Sequence, residues 1–249
     1  MSNEFKAEWL KEKRSASAKL LLIIPTVFLV FNLLMVSFMG TAPAGKSYLI
    51  ATSFNWYPIM ILPVVLSLLV INIGNKEKES NKVQFKSLGL SLKKQIIAKN
   101  LVILCELAII LFISLILIFL VGTFIVGEHL FFLKVVLATV CLFFGSLPIL
   151  GILLLASTFL KGPVLILFNF LLTFPSAVIA VKDYWWAFPW GYNLRMMAPI
   201  LGIHPNGTFL EGNSYLSDYS VLGIAIVASL LIFIVSIFLQ IWIGEKRYG

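Results

Sequence analysis

The chain has 249 residues, 60% of them hydrophobic and only 12% charged, and its mean hydropathy is +1.02. A water-soluble domain carries charge on about a quarter of its residues, so a soluble fold is excluded and an integral membrane protein is implied. The net charge of +8 then reads as the Lys and Arg that membrane proteins keep on the cytoplasmic side, and nucleic acid is not expected as a partner.

In chain order, the first element is NEFKAEWLKEKR at positions 3–14. Helical spacing puts Phe5 and Trp9 on one strip and Glu4, Glu8 and Glu12 on another. This pattern predicts an interfacial helix over residues 1–17, lying on the cytoplasmic membrane surface with Phe5, Trp9 and Leu10 among the headgroups; a frayed charged tail is the alternative. Apolar runs follow near Ala18–Met39, Phe54–Ile73, Leu101–Val121, Leu130–Ser157, Pro163–Val181 and Val221–Ile243. Each is long enough, at about 1.5 Å per helical residue, to cross a hydrocarbon core of about 30 Å. The first run is too long for the core of a cleavable signal peptide and ends in no clean cleavage site.

Basic residues at the span ends set the orientation. Of 19 Lys and Arg, 15 fall before the first span, in the second loop, at Lys161 and at the C-terminus. Both termini are therefore placed in the cytoplasm. In the fourth run Gly145, Pro148 and Gly151 cluster, a pattern of bending with close helix packing or of a gating hinge, the former being the simpler reading.

Two connecting segments exceed what a turn requires. The cytoplasmic loop 74–100 sets Val83, Phe85, Leu88, Leu90 and Leu92 among lysines and breaks at Gly89 and Ser91. This predicts a short helix, a turn and then the helix that becomes the third span, in a loop that either docks a partner or is simply a solvated basic loop. The outer segment 182–220 gathers Tyr184, Trp185, Trp186, Phe188, Trp190 and Tyr192, followed by Arg195, His204, Asn206, Glu211 and Asp218. Three Trp residues so close predict broken, re-entrant or interfacial helices between spans five and six, with each Trp either anchoring at the interface or contacting a ligand. The predicted fold class is thus an all-α membrane protein: six transmembrane helices, an N-terminal interfacial helix and interrupted helices between spans five and six, in one domain over residues 1–249.

Within the spans, Glu106 is the one acid well inside a run. An intramembrane carboxylate is either functional or satisfied by a polar neighbour or water. Lys134 is expected to reach outward towards Glu128 and His129. The chain has no G-x-x-x-x-G-K-[ST] phosphate loop and no H-E-x-x-H, and His129 and His204 stand far apart. No nucleophile is paired with a base, no chain of membrane acids or internal repeat marks a coupled pump, and Cys105 and Cys141 lie inside apolar runs with no disulfide or metal spacing. No catalytic residue, metal or cofactor is assigned to the chain, and any transport must draw its energy from a partner.

The arrangement resembles the permease subunits of type-2 ATP-binding-cassette exporters. It has their interfacial N-terminal helix, six spans, long second loop and interrupted helices before the last span. In that family the loop after the second span opens with Glu, forms a short coupling helix and closes with Lys; Glu77 and Glu79, the 82–92 region and Lys99 stand at those places. The resemblance implies that Glu77, Glu79, Phe85, Leu88 and Leu92 engage a separate ATPase, which would bind the ATP and Mg. Within the family the chain looks like the lantibiotic-immunity permeases, on the strength of Glu8-x-x-Lys11-x-x-Arg14-Ser15, of Phe188-Pro189-Trp190-Gly191-Tyr192 with Arg195-Met196, and of Gly202-Ile203-His204-Pro205-Asn206-Gly207. That likeness implies a bacterial cell-membrane protein working with ABC ATPase subunits and a like or second permease to expel an amphiphilic peptide. Trp185, Trp186, Trp190, Arg195 and Glu211 are the candidate substrate contacts. A permease for another amphiphile, such as a bacitracin-like antibiotic or a lipid, and a non-transporting docking or signalling protein are the alternatives.

Overall fold

The computed structural model describes residues 2–13, 16–74, 91–128 and 130–248. Among these, helix is the regular structure throughout, apart from one antiparallel bridge between Ile203 and Phe209. The helices are α1 (Ser2–Lys13), α2 (Ala16–Met39), α3 (Tyr48–Ala51), α4 (Tyr57–Met60), α5 (Leu62–Gly74), α6 (Leu92–Val121), α7 (Phe132–Ala156), α8 (Gly162–Thr173), α9 (Ser176–Ile179), α10 (Tyr192–Leu201) and α11 (Ser220–Tyr248). Five helical stretches are long and apolar enough to cross a membrane, and the pair Tyr48–Met60 and Leu62–Gly74, bent by 51°, makes a sixth.

That second span begins earlier than its apolar run indicates. Ser47 accepts a hydrogen bond from the Ile50 amide at 3.0 Å and so caps α3. Thr52 Oγ1 donates to the Leu49 carbonyl at 3.0 Å and Ser53 Oγ to Asn32 Oδ1 of α2 at 3.0 Å, so the polar residues ahead of Phe54 are satisfied inside the bundle. The span then widens into a π-turn at Thr52–Trp56 and breaks at Ile61. Pro58 and Pro63 explain both features: each lacks the amide that would continue the ladder, and each ring crowds the carbonyl four residues back.

The central helix is α7. In its most apolar window 61% of residues are buried within the chain, against 22% for α2 and 28% for α11, whose outward faces are left for lipid. It runs unbroken through Pro148. Its neighbours approach closely because of its glycines: a Cβ on Gly145 would lie inside contact with Asn193 Oδ1 of α10 and 2.8 Å from Met196 Cε, and one on Gly151 would lie 2.9 Å from Ser236 of α11. The predicted cluster is a packing seam. The core around it contains Tyr57, which meets Phe28 edge-on at 4.7 Å, and Leu66, Leu69, Ile103, Leu107, Ile110 and Leu150.

Candidate functional site

At the end of the bundle that carries both termini, Ser91 caps α6, accepting from the Lys94 amide at 3.5 Å. The helix of the third span thus begins just after Ser91, while the short helix and turn expected ahead of it lie outside the described residues. Leu92 packs near Gly244 of α11, where an added Cβ would lie 3.0 Å from Leu92 Cδ2. Between Gly74 and Leu92, the two stems of the loop, opens a cavity of about 270 Å³ whose polar wall includes Gln95, Lys99, Gln240 and Arg247. Its lining comes from α5, α6, the end of α7, the start of α8 and α11. Of the expected coupling residues, Leu92 is at this rim, while Glu77, Glu79, Phe85 and Leu88 lie outside the described residues.

Helix α1 packs across α2 and α6 at the same end. Its acidic strip turns inward: Glu8 and Glu12 are buried, and Glu4 lies 3.7 Å from Lys94 of α6. Lys11 pairs with Glu8 at 2.6 Å. Phe5 and Trp9 stack with centroids 6.0 Å apart and pack half-buried against the core, leaving Leu10 exposed. Helix α1 and the loop's second stem, Leu92, thus both meet at the base of α6.

Inside the bundle, Glu106 is buried on α6. One turn and a half nearer the termini, Asn100 Nδ2 donates to Gln240 Oε1 of α11 at 3.1 Å. A second polar link was not singled out in the sequence: Asn169, fully buried on α8, donates from Nδ2 to the Pro63 carbonyl at 2.7 Å and accepts from Trp190 Nε1 at 2.8 Å. Asn169 thus occupies a carbonyl in the bent span and an indole of the outer segment at once. The signal was available, since an amide in the middle of an apolar run must find internal partners.

The opposite end holds the aromatic segment. After α9 the chain makes tight turns at Trp185–Ala187 and Pro189–Gly191, and then α10, nearly every residue of which is buried, much of it against α7. The interrupted helices expected between spans five and six are therefore one short helix preceded by 3-10 turns. Trp185 and Trp190 are buried, and Arg195 is 5% exposed. The Arg195 guanidinium lies 5.8 Å from the Trp185 ring, and its Nη1 donates to the Leu216 carbonyl at 2.9 Å, fixing the 215–217 turn on α10. Burial draws the Arg195 pKa down, while Tyr215 and Asp218 oppose that shift. Hydrogen bonds from the Ser220 hydroxyl and amide hold the Asp218 carboxyl below the usual range.

Trp186, by contrast, is 59% exposed, and Tyr184, Tyr215, Tyr219 and Glu211 are exposed with it. The five expected substrate contacts thus divide, Trp185, Trp190 and Arg195 forming the support and Trp186 and Glu211 lying on the surface. The Gly202–Gly207 run is a closed turn: Asn206 Oδ1 accepts from the Thr208 amide at 3.0 Å, and Asn55 Nδ2 of the second span reaches the His204 and Pro205 carbonyls, each at 3.2 Å. Gly207, at φ +90°, lies against the Trp56 ring, which leaves no room for a side chain.

Lys134 and Glu128 line one cavity at this end but do not pair. Lys134 Nζ lies 5.5 Å from the Phe131 ring, and the Ser47 hydroxyl donates to Glu128 in a short hydrogen bond.

A sequence model for ABC-2 family transporter proteins matches residues 5–176, more than half of the chain, taking in most of α1, the first four spans and all but the end of the fifth. No curated protein and no solved structure matches the chain. With a membrane-crossing helical bundle and a family match of that extent, the chain belongs to the ABC-2 transporter family and is a multi-pass permease subunit of an ABC exporter.

Proposed function

We propose that this permease gives immunity to an antimicrobial peptide, expelling a cationic lantibiotic from the membrane with energy supplied by separate ATPase subunits. Those subunits grip the 74–100 loop and hold the ATP and Mg; the permease pairs with a like or second permease, and both its termini face the cytoplasm of a bacterial cell. The observation that carries this reading is the cavity at the loop's base, walled by five of the six spans. A push there is shared among α5, α6, α7, α8 and α11 without needing a long relay. At the other end Trp186, Tyr184 and Tyr219 offer rings, and Glu211 a negative charge, to a cationic amphiphile, each ring contact with a cation being worth about 0.5–1 kcal/mol at an exposed site. Trp185, Trp190 and Arg195 hold that surface in place from beneath.

Cells carrying the chain and its ATPase, loaded with a labelled lantibiotic, test the reading. Release of membrane-bound peptide into the medium is expected when ATP is present, and it should fall when Trp186→Ala is combined with Glu211→Gln. Peptide retained at the level of cells lacking the chain would favour a docking or signalling role instead.

A further inference from the structure

The cavity at the end away from the termini has about 530 Å³, within the range of small-molecule sites, about 300–1,000 Å³. Its floor is apolar, built from Ile50, Val135, Ile203 and Phe209, and its rim carries Lys46 and Lys134. Lys46 Nζ sits 4.9 Å from the Phe209 ring centroid. Among the described residues neither ammonium has a carboxylate oxygen within 4.0 Å. The acid that lines the cavity, Glu128, is engaged by Ser47 and so joins the loop after α2 to the loop after α6. The rim therefore keeps a positive excess.

The cavity's place in the fold narrows the occupant further. Lys134 is two residues into α7, at the level where a span leaves the hydrocarbon and basic side chains meet headgroups. Beside it Phe131, Phe132 and Leu133 are exposed by 72%, 63% and 80%, apolar surface suited to the bilayer and continuous with the cavity through Phe131. A ligand entering here meets cations at headgroup level and an apolar floor behind them. A free anion would leave that floor empty, and a neutral lipid would leave the lysines unanswered.

We propose that this cavity seats an anionic membrane lipid, its acidic headgroup between Lys46 and Lys134 and one acyl chain passing Phe131 to the floor. A basic pocket between spans selects acidic headgroups by the same physics. The cavity's lining includes none of Tyr184, Trp186 and Tyr219, and the transported peptide plays no part in the proposal.

The test uses the full chain in mild detergent, exposed to vesicles of equal phosphatidylglycerol and phosphatidylcholine and then examined by native mass spectrometry. Retained phosphatidylglycerol should exceed phosphatidylcholine, by about fivefold for each lysine engaged. The preference should vanish in K46Q/K134Q, survive in K46R/K134R, and be lost in Val135→Trp, which fills the floor and leaves both charges in place. Millimolar inorganic phosphate should not displace the lipid. Equal retention of the two lipids, an undiminished preference in K46Q/K134Q, or displacement by inorganic phosphate would each overturn the proposal. None of these results bears on peptide release, which is measured separately.

Discussion

Gly145→Leu should prevent the bundle from assembling. A Cβ at this position already meets Asn193 Oδ1 and lies 2.8 Å from Met196 Cε, and the remaining atoms of leucine would have to displace α10 from α7. Overpacking a close-packed interior costs about 1–3 kcal/mol for modest insertions, and here a whole side chain enters a contact that has no room for its first carbon. The displaced helix carries Arg195, so the 215–217 turn would lose its anchor as well. The expected result is loss of the monodisperse peak on gel filtration in detergent, with Gly145→Ala intermediate and lower in Tm. Gly223→Leu serves as the control, because nothing lies within 4 Å of a Cβ at that exposed position of α11. A Gly145→Leu protein as stable as Gly223→Leu would show that the α7 and α10 contact is not needed for the fold.

The second large effect is on coupling. Phe85→Asp together with Leu88→Asp should abolish co-purification of the ATPase while leaving membrane insertion unchanged. A loop that only keeps positive charge inside has no use for phenylalanine and leucine among its lysines. If these side chains fill a groove on the ATPase, a carboxylate in their place costs at least about 2 kcal/mol per anchor. Insertion is set by the apolar spans on either side, which the substitutions do not touch. A loop that is merely solvated would tolerate both aspartates, and undiminished co-purification would establish that.

The spans were legible because twenty apolar residues in lipid can satisfy their backbone only as helix. What hydropathy could not locate was the start and bend of the second span, since Thr52 and Ser53 look like loop residues until Leu49 and Asn32 are seen to satisfy them. Helix α1 illustrates a different ambiguity. Its aromatic and acidic strips repeat with the same spacing, and periodicity does not say how deeply each is covered; in the fold Glu8 and Glu12 are buried, Glu4 lies beside Lys94 of α6, and Phe5 and Trp9 pack half-buried against the core.

The aromatic cluster was legible as a feature and only partly as a site. Trp190 and Trp186 are indistinguishable in a list, yet one indole is committed to Asn169 and the other faces outward. Asn169 supplies that distinction from twenty-one residues away, beyond any local pattern. The loop 74–100 stands out in the sequence through composition and family likeness; of it the fold shows the two stems, Gly74 and Leu92, which border one cavity.

Drive from an ABC ATPase held at that loop is the premise of the proposed transport. It is tested most directly by affinity purification of the tagged chain, in mild detergent, from cells that express it together with the genes beside its own. An ABC ATPase should be retained in the eluate in near-stoichiometric amount. An eluate containing the folded chain and no ATPase would contradict it.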